Sequence, residues 1–166
     1  MLEDYVDAYN GGCDSPPGFP IQSLQGGVDG ELSLCGHGGT YLCGAEQCHD
    51  SDWFAVYKAS DPFQVTGSAL YPTHLAQVVF DPEQGCGGEV TIINSVLCTQ
   101  FEQATLELIA EVGEEVWIKC ETAEWEDVPE YAYTLEFQGV SGVQGVPEIP
   151  PPSPAMTWGA IKHMFR

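Results

Sequence analysis

Two aspartates two positions apart, Asp50 and Asp52, are the residues of this sequence whose spacing points most directly to chemistry. In an extended segment, residues i and i+2 lie on the same side, so their carboxylates should converge. Converging carboxylates repel each other unless one is protonated or a cation lies between them, and calcium prefers several hard oxygen ligands. Asp7, Asn10 and Asp4 are the candidates to complete a calcium shell. Alternatively, Asp50 and Asp52 cap a loop by accepting hydrogen bonds from backbone N–H groups.

Seven cysteines in 166 residues favour disulfides over a zinc site. No C-x-x-C motif occurs, and the four histidines do not form a ligand pair on one helix face. Disulfides indicate an oxidising compartment, so we expect a secreted, extracellular or cell-surface protein. The predicted bridges join Cys43 to Cys48, Cys86 to Cys98 and Cys13 to Cys35. Cys120 would then be left over, either free and buried or bridging to another chain.

Motifs of known catalytic chemistry are missing from the sequence. It has no Gly-x-Ser-x-Gly element, no activated Cys/His arrangement and no phosphate-binding glycine loop that leads into a helix. The acidic residues around Trp125 resemble a paired-carboxylate hydrolase site, but chance clusters are expected in a chain with 25 acidic residues. We therefore predict that the protein is not an enzyme.

The net charge of the chain disfavours some classes of binding partner. Twenty-five acidic residues face four basic ones, which gives a formal net charge of −21. Such a field repels phosphate groups, so nucleic acid and anionic membrane surfaces are poor partners, whereas cations and basic surfaces are better ones. Alternatively, the charge only keeps the protein soluble. No apolar run approaches the roughly 20 residues that a membrane-spanning helix needs.

Short segments rich in β-branched and aromatic residues follow one another between proline and glycine turns. The predicted strands are 21–24, 31–35, 53–57, 63–70, 74–80, 89–93, 104–110, 115–122 and 131–137. Residues 101–111 also fit a helix face, but the turn at 112–114 favours a hairpin. Glycine-rich residues 10–40 are expected to form loops around at most two short strands. The pattern predicts an all-β fold, an antiparallel β-sandwich over residues 1–142.

The character of the chain changes after this domain. Residues 143–155 form a proline-rich linker, which should be extended and stiff because proline fixes φ and removes backbone donors. Residues 156–166 form a basic tail whose apolar residues would share one face of a helix. The apolar residues are Trp158, Ile161 and Phe165, and the basic ones are Lys162 and Arg166.

Four segments carry a resemblance to bacterial pre-peptidase C-terminal domains. They are the acidic opening at 3–13, the Asp-Ser-Asp-Trp-Phe run at 50–54, the strand at 113–118 and the closing strand at 131–137. The resemblance covers about residues 3–138 and implies a jelly-roll-like β-sandwich of exported bacterial proteins, without catalytic residues. It also implies, for some relatives, calcium bound by the opening segment and the Asp-x-Asp pair, and for others collagen or polysaccharide binding.

The sequence departs from that family at 6–9, where the Glu-Pro step is replaced, and it contains no peptidase. The tail resembles a W-G-x-I-K-x-x-F-R ending of exported bacterial proteins, which implies sorting or surface attachment. Two functions follow as expectations. The favoured one is a self-assembling subunit of an extracellular fibre or surface layer, in which the tail docks on a neighbouring copy. The alternative is a calcium-dependent module of the cell envelope that binds polysaccharide or protein.

Overall fold

The computed structural model describes residues 11, 21–43, 46–79, 90–124 and 127–142, and these ranges contain nine strands. The strands are β1 (Gln22–Ser23), β2 (Leu32–Cys43), β3 (Glu46–Tyr57), β4 (Gln64–Ala69), β5 (Thr73–Val79), β6 (Thr91–Cys98), β7 (Ala104–Glu107), β8 (Glu115–Thr122) and β9 (Tyr131–Gln138). No helix that could cross a membrane occurs in the part of the chain that the structure describes.

The strands form one sheet in the order β6-β5-β8-β3-β2-β9-β4-β7, and all of these ladders are antiparallel. β1 adds a two-residue parallel ladder to β3. The two end strands, β6 and β7, approach each other, so the sheet is nearly closed into a barrel-like shape. The predicted all-β, antiparallel class is confirmed.

Side-chain amides bridge the gap between the two ends of the sheet. Asn94 on β6 donates from Nδ2 to the carbonyl oxygen of Glu107 at 2.9 Å. Gln77 on β5 donates from Nε2 to the Ile109 carbonyl at 2.7 Å and accepts the Ile109 N–H at 2.8 Å. Gln77 and Asn94 therefore satisfy backbone groups that a strand ladder would otherwise pair. We call these contacts the side-chain seam.

Strand β2 turns the corner of the sheet. Its first residues agree with the predicted strand at 31–35, whereas residues 36–40 lie in the stretch that the sequence predicted to be loops. Its first part, Leu32–Gly38, pairs with β9, and its second part, Gly39–Cys43, pairs with β3. The glycines of this stretch leave room for side chains of the facing strand, because a Cβ on Gly36 would overlap the Cζ and hydroxyl oxygen of Tyr133. The loop prediction was wrong here because it interpreted glycine as flexibility, whereas the structure uses it for close approach.

The later strands follow the sequence pattern closely. β8 has the predicted bounds, and its burial alternates from Glu115 to Thr122 as expected for a strand with one core face. The ambiguous segment is a strand from Ala104 to Glu107, so a strand was the correct choice. β6 continues to Cys98, five residues beyond its predicted end.

The main core fills the space inside the sheet. Its fully buried side chains include Phe54, Phe137, Leu75, Leu106, Ile118 and Leu135. Each such side chain contributes roughly 1.5–3 kcal/mol to the free energy of unfolding. A second, smaller cluster of Trp53, Ala76 and Val78 lies on the opposite face of the same strands, together with the partly buried Trp117.

Candidate functional site

The predicted cation ligands Asp50 and Asp52 both lie on β3, on its inner face. Asp52 pairs in register with Cys120 of β8, is only 5% exposed, and accepts a hydrogen bond from the hydroxyl of Tyr133. Their common face, expected from the spacing, follows from the strand geometry. The other three candidates, Asp4, Asp7 and Asn10, lie outside the described residues.

The surroundings of Asp52 form what we call the buried acid cluster: Asp50, Asp52, Cys120, Tyr133 and Tyr131. Burial, followed by the negative charges of its neighbours, raises the pKa of the Tyr133 hydroxyl and the pKa of the Cys120 thiol far above their usual values. Burial also raises the pKa of Tyr131 to about 12. These groups stay protonated at neutral pH, and of them the Tyr133 hydroxyl donates to the buried Asp52 carboxylate.

Tyr131 makes a separate, neutral hydrogen bond. Its hydroxyl and that of Thr73 are 2.7 Å apart, and both side chains are buried. No group of three or more His, Cys, Asp or Glu side chains that could hold a metal ion occurs within the described ranges. Asp50 and Asp52 could therefore supply two oxygen ligands, and a calcium site would need further ligands.

The cysteines differ from their predicted pairing. Cys35 is exposed and free, and Cys98 is buried and free, with its thiol 3.3 Å from the Thr73 carbonyl oxygen that it donates to. The structure therefore does not contain the predicted bridges of Cys35 to Cys13 and of Cys98 to Cys86. Cys98 faces the core, where its thiol already has an acceptor.

Cys120 was considered as a link between chains, and Cys48 belongs to the first predicted bridge. Cys120 is free and only 1% exposed, which agrees with the first alternative for it, a free and buried thiol. The second alternative, a bridge to another chain, is corrected, because the buried thiol cannot reach another chain in the folded state. Cys48 is disulfide-bonded, and its partner is outside the residues whose side chains the structure describes. The bridge from Cys43 to Cys48 remains a prediction.

A second polar cluster, on the outer face of the sheet, brings together residues that sequence reasoning did not connect. Glu121 accepts from Ser51 Oγ at 3.1 Å and from Lys119 Nζ at 2.7 Å, and His49 Nδ1 lies 3.6 Å from the same carboxylate. Burial alone would raise the pKa of Glu121, but Lys119, Ser51 and His49 together lower it. The alternation of strands β3 and β8 is the signal that places these residues on one face.

Glu121 is a weak base for the Ser51 hydroxyl from which it accepts a hydrogen bond. Lys119 Nζ lies 2.7 Å from the Glu121 carboxylate and, together with Ser51 and His49, lowers the pKa of this carboxyl, so Glu121 stays ionised. The contacts of the cluster are those of an ion-pair network that joins β3 to β8.

A recess with a volume of about 510 Å³ lies beside the side-chain seam, where Gln77 and Ile109 line it. Its apolar wall is formed by Val78, Val79, Ile93, Ile109 and Trp117. Its acidic rim is formed by Glu111, Glu114 and Glu115. We call this recess the acidic groove. An apolar floor with a rim of one charge suits a ligand that is both apolar and basic.

Local hydrogen bonds fix the acidic rim. Glu114 accepts the Glu111 N–H at 2.9 Å, which closes the turn between β7 and β8. Glu115 accepts from Trp117 Nε1 at 2.9 Å. Lys58 lies nearby, but it donates to the Ala110 carbonyl and pairs with Asp61 at 2.9 Å.

Sequence reasoning missed the acidic groove because its walls come from β5, β6, β8 and the 109–111 segment. The available signal was three glutamates within 111–115, around the predicted turn. The predicted assembly residues Trp158, Ile161, Lys162, Phe165 and Arg166 lie outside the described residues.

Comparison with protein-family models, with curated proteins and with solved structures finds no match for this chain. The likeness to pre-peptidase C-terminal domains therefore remains a resemblance of short motifs. What the protein does has to be inferred from its own residues.

Proposed function

We propose that this protein is a non-catalytic, extracellular structural subunit that assembles with copies of itself. The observation that carries the proposal is an apolar edge on the sheet, formed by Ile92, Ile93 and Leu97 of β6 and by Val79 of β5. These four side chains are between 44% and 62% exposed. Large apolar side chains this exposed beside an edge strand are a liability for a monomer, because monomeric proteins usually protect their edge strands.

Two further features support assembly. Within the described part of the chain, β6 makes a backbone ladder with β5 only, and at its other edge, toward β7, the Asn94 side chain bonds to the Glu107 carbonyl in place of a ladder. The backbone groups of β6 that no ladder pairs could bind another strand. The sequence adds a proline-rich linker at 143–155, which is predicted to be stiff, and an apolar, basic tail at 156–166. A tail that docks on a neighbour makes a head-to-tail contact, which propagates as an open fibre unless the rotation closes into a ring.

The test is to compare the full-length protein with a variant that lacks residues 147–166. We expect polymers of the full-length protein in electron micrographs and in light scattering, and monomers of the truncated one. Circular dichroism of both proteins serves as the control for folding. A full-length protein that stays monomeric across the concentration range would contradict the proposal.

The second candidate function is a calcium-dependent module that binds polysaccharide or protein. The observation that favours it is the pair Asp50 and Asp52 on one strand face, with Asp52 buried. A cation held only by the native state raises the melting temperature. Thermal unfolding in calcium and in chelator tests this function, and equal melting temperatures would exclude calcium as a ligand.

A further inference from the structure

The acidic groove complements the tail of this chain in both charge and apolar character. Four basic residues occur in the entire sequence, and two of them, Lys162 and Arg166, lie in the tail. The other two are occupied in the structure, because Lys58 pairs with Asp61 and Lys119 pairs with Glu121. The positive charges of this chain that remain for the groove are therefore those of the tail.

The apolar side of the groove calls for an apolar ligand as well. Ile93 is 45% exposed and Ile109 is 64% exposed, and both face the recess beside Trp117. The tail carries Trp158 and Phe165, whose rings bury a large apolar area at low entropic cost. A recess of about 510 Å³ is in the size range of ligand pockets, roughly 300–1,000 Å³, so it holds a few side chains and not a whole domain.

Resting on the proposed assembly function, we propose that the acidic groove is the docking site for residues 156–166 of a second copy of this chain. Trp158 or Phe165 enters the apolar part, and Lys162 and Arg166 face the rim of Glu111, Glu114 and Glu115.

The predicted length of the linker favours a neighbour's groove over the chain's own. The Ser141 N–H bonds to the Tyr57 carbonyl, and Tyr57 pairs with Glu115 across β3 and β8. Ser141 therefore lies about 10 Å, or two strand spacings, from Glu115 on the rim of the groove. The sequence predicts an extended run from Pro147 to Pro154, because proline fixes φ, and eight extended residues would span roughly 25 Å. An arm of that length would carry the tail past the groove beside it.

The experiment uses two full-length variants that each lack one half of the contact. The groove variant is Glu111→Gln, Glu114→Gln and Glu115→Gln, which removes the charges but keeps oxygen acceptors for the Glu111 and Trp117 N–H groups. The tail variant is Trp158→Ala with Phe165→Ala. We expect each variant alone to assemble about tenfold more weakly than the wild type, in line with the loss of several partly exposed contacts.

Mixing the two variants is the decisive step. The groove variant still has an intact tail and the tail variant still has an intact groove. At a concentration at which neither variant assembles alone, the mixture should therefore form one-to-one dimers that do not grow, measured by light scattering. The control variant is Glu31→Gln, Glu102→Gln and Glu136→Gln, three exposed residues outside the groove, and we expect it to assemble like the wild type.

The outcomes separate this inference from the function that it rests on. If the groove variant polymerises like the wild type while the tail variant does not, the groove is not the docking site, although assembly through the tail stands. If the mixture forms no dimers while the wild type polymerises, the same conclusion holds. If the wild type is monomeric at every concentration, both proposals fail. Ile109→Ser, an exposed change in the apolar wall, gives a second variant should the triple variant not fold, and it too should weaken assembly.

Discussion

Carboxylates lie near both ends of β8, in the buried acid cluster and in the acidic groove, and they have different roles in the two places. Asp52 is buried opposite Cys120, near the end of the strand, and accepts a hydrogen bond from Tyr133. Glu115 lies at the start of the strand, on the rim of an open recess. The difference teaches that burial and the neighbouring donors, not residue type, decide whether a carboxylate stabilises the fold or faces a partner.

The largest expected effect on stability comes from comparing two glycine-to-alanine changes, one beside the buried acid cluster and one beside the acidic groove. Gly36→Ala should lower the free energy of unfolding by about 3 kcal/mol, because the added methyl group overlaps the Tyr133 ring above Asp52. Gly113→Ala, in the turn beside the groove, should cost only about 1 kcal/mol, because nothing lies near the methyl group and only its positive φ of 85° is strained. Urea unfolding of both variants measures the difference, and equal losses would contradict it.

The next prediction compares, within the cluster, the loss of a hydrogen bond to a carboxylate with the loss of a hydrogen bond to a hydroxyl group. Tyr133→Phe removes a donor from the buried carboxylate of Asp52, so we expect a loss of about 2–3 kcal/mol. Tyr131→Phe removes a hydrogen bond to the Thr73 hydroxyl and should cost about 1 kcal/mol. The two variants are matched, since each loses one buried phenol oxygen. A larger loss for Tyr131→Phe would show that Asp52 does not depend on Tyr133.

We expect alkaline pH to lower the free energy of unfolding through the buried thiol of Cys120. The pKa of Cys120 is raised in the folded state above its ordinary value of 9.0, so the unfolded chain releases this proton at a lower pH than the folded one. Stability from this group is complete below about pH 9 and falls above it, by about 1.4 kcal/mol per pH unit. Cys120→Val should remove this part of the slope in urea unfolding measured from pH 8 to pH 10. An unchanged slope would mean that the thiol is not protected by the fold.

The smallest effect is expected in the groove itself. Glu111→Gln should change the free energy of unfolding by less than about 0.5 kcal/mol, because the side chain is exposed. Asp52→Asn, its counterpart in the interior, should change it more, because the group is buried and bonded to Tyr133. Chemical unfolding of both variants completes the comparison, and a large loss for Glu111→Gln would show that the rim serves folding.

Local alternation predicted the strands that have one core face. β8 and β9 alternate between buried and less buried residues along their lengths, and both were found close to their observed bounds. Part of β2 was not predicted, because Gly36 makes room for the side chain of Tyr133, which lies almost a hundred residues later in the sequence. A position that is small because of a distant neighbour looks like a loop when only adjacent residues are considered.

The candidate site was predictable only where it depended on one strand. The spacing of Asp50 and Asp52 was enough to place them on one face, because the period of a strand is two. Nothing in the spacing indicated that Asp52 would bond to Tyr133, or that Gln77 would join β5 to the Ile109 segment. Those contacts depend on strand order, which the alternation of residues does not encode.

Because Cys98 and Cys120 are buried, the reactivity of their thiols can report transient opening of the folded protein. Both thiols are about 1% exposed, whereas Cys35 is open to solvent. A thiol-reactive dye should modify Cys35 at once and reach the other two only when the barrel opens, at a rate set by the opening free energy. The slow labelling of two sulfur atoms would thus report how often this nearly closed sheet comes apart under conditions in which almost every molecule is folded.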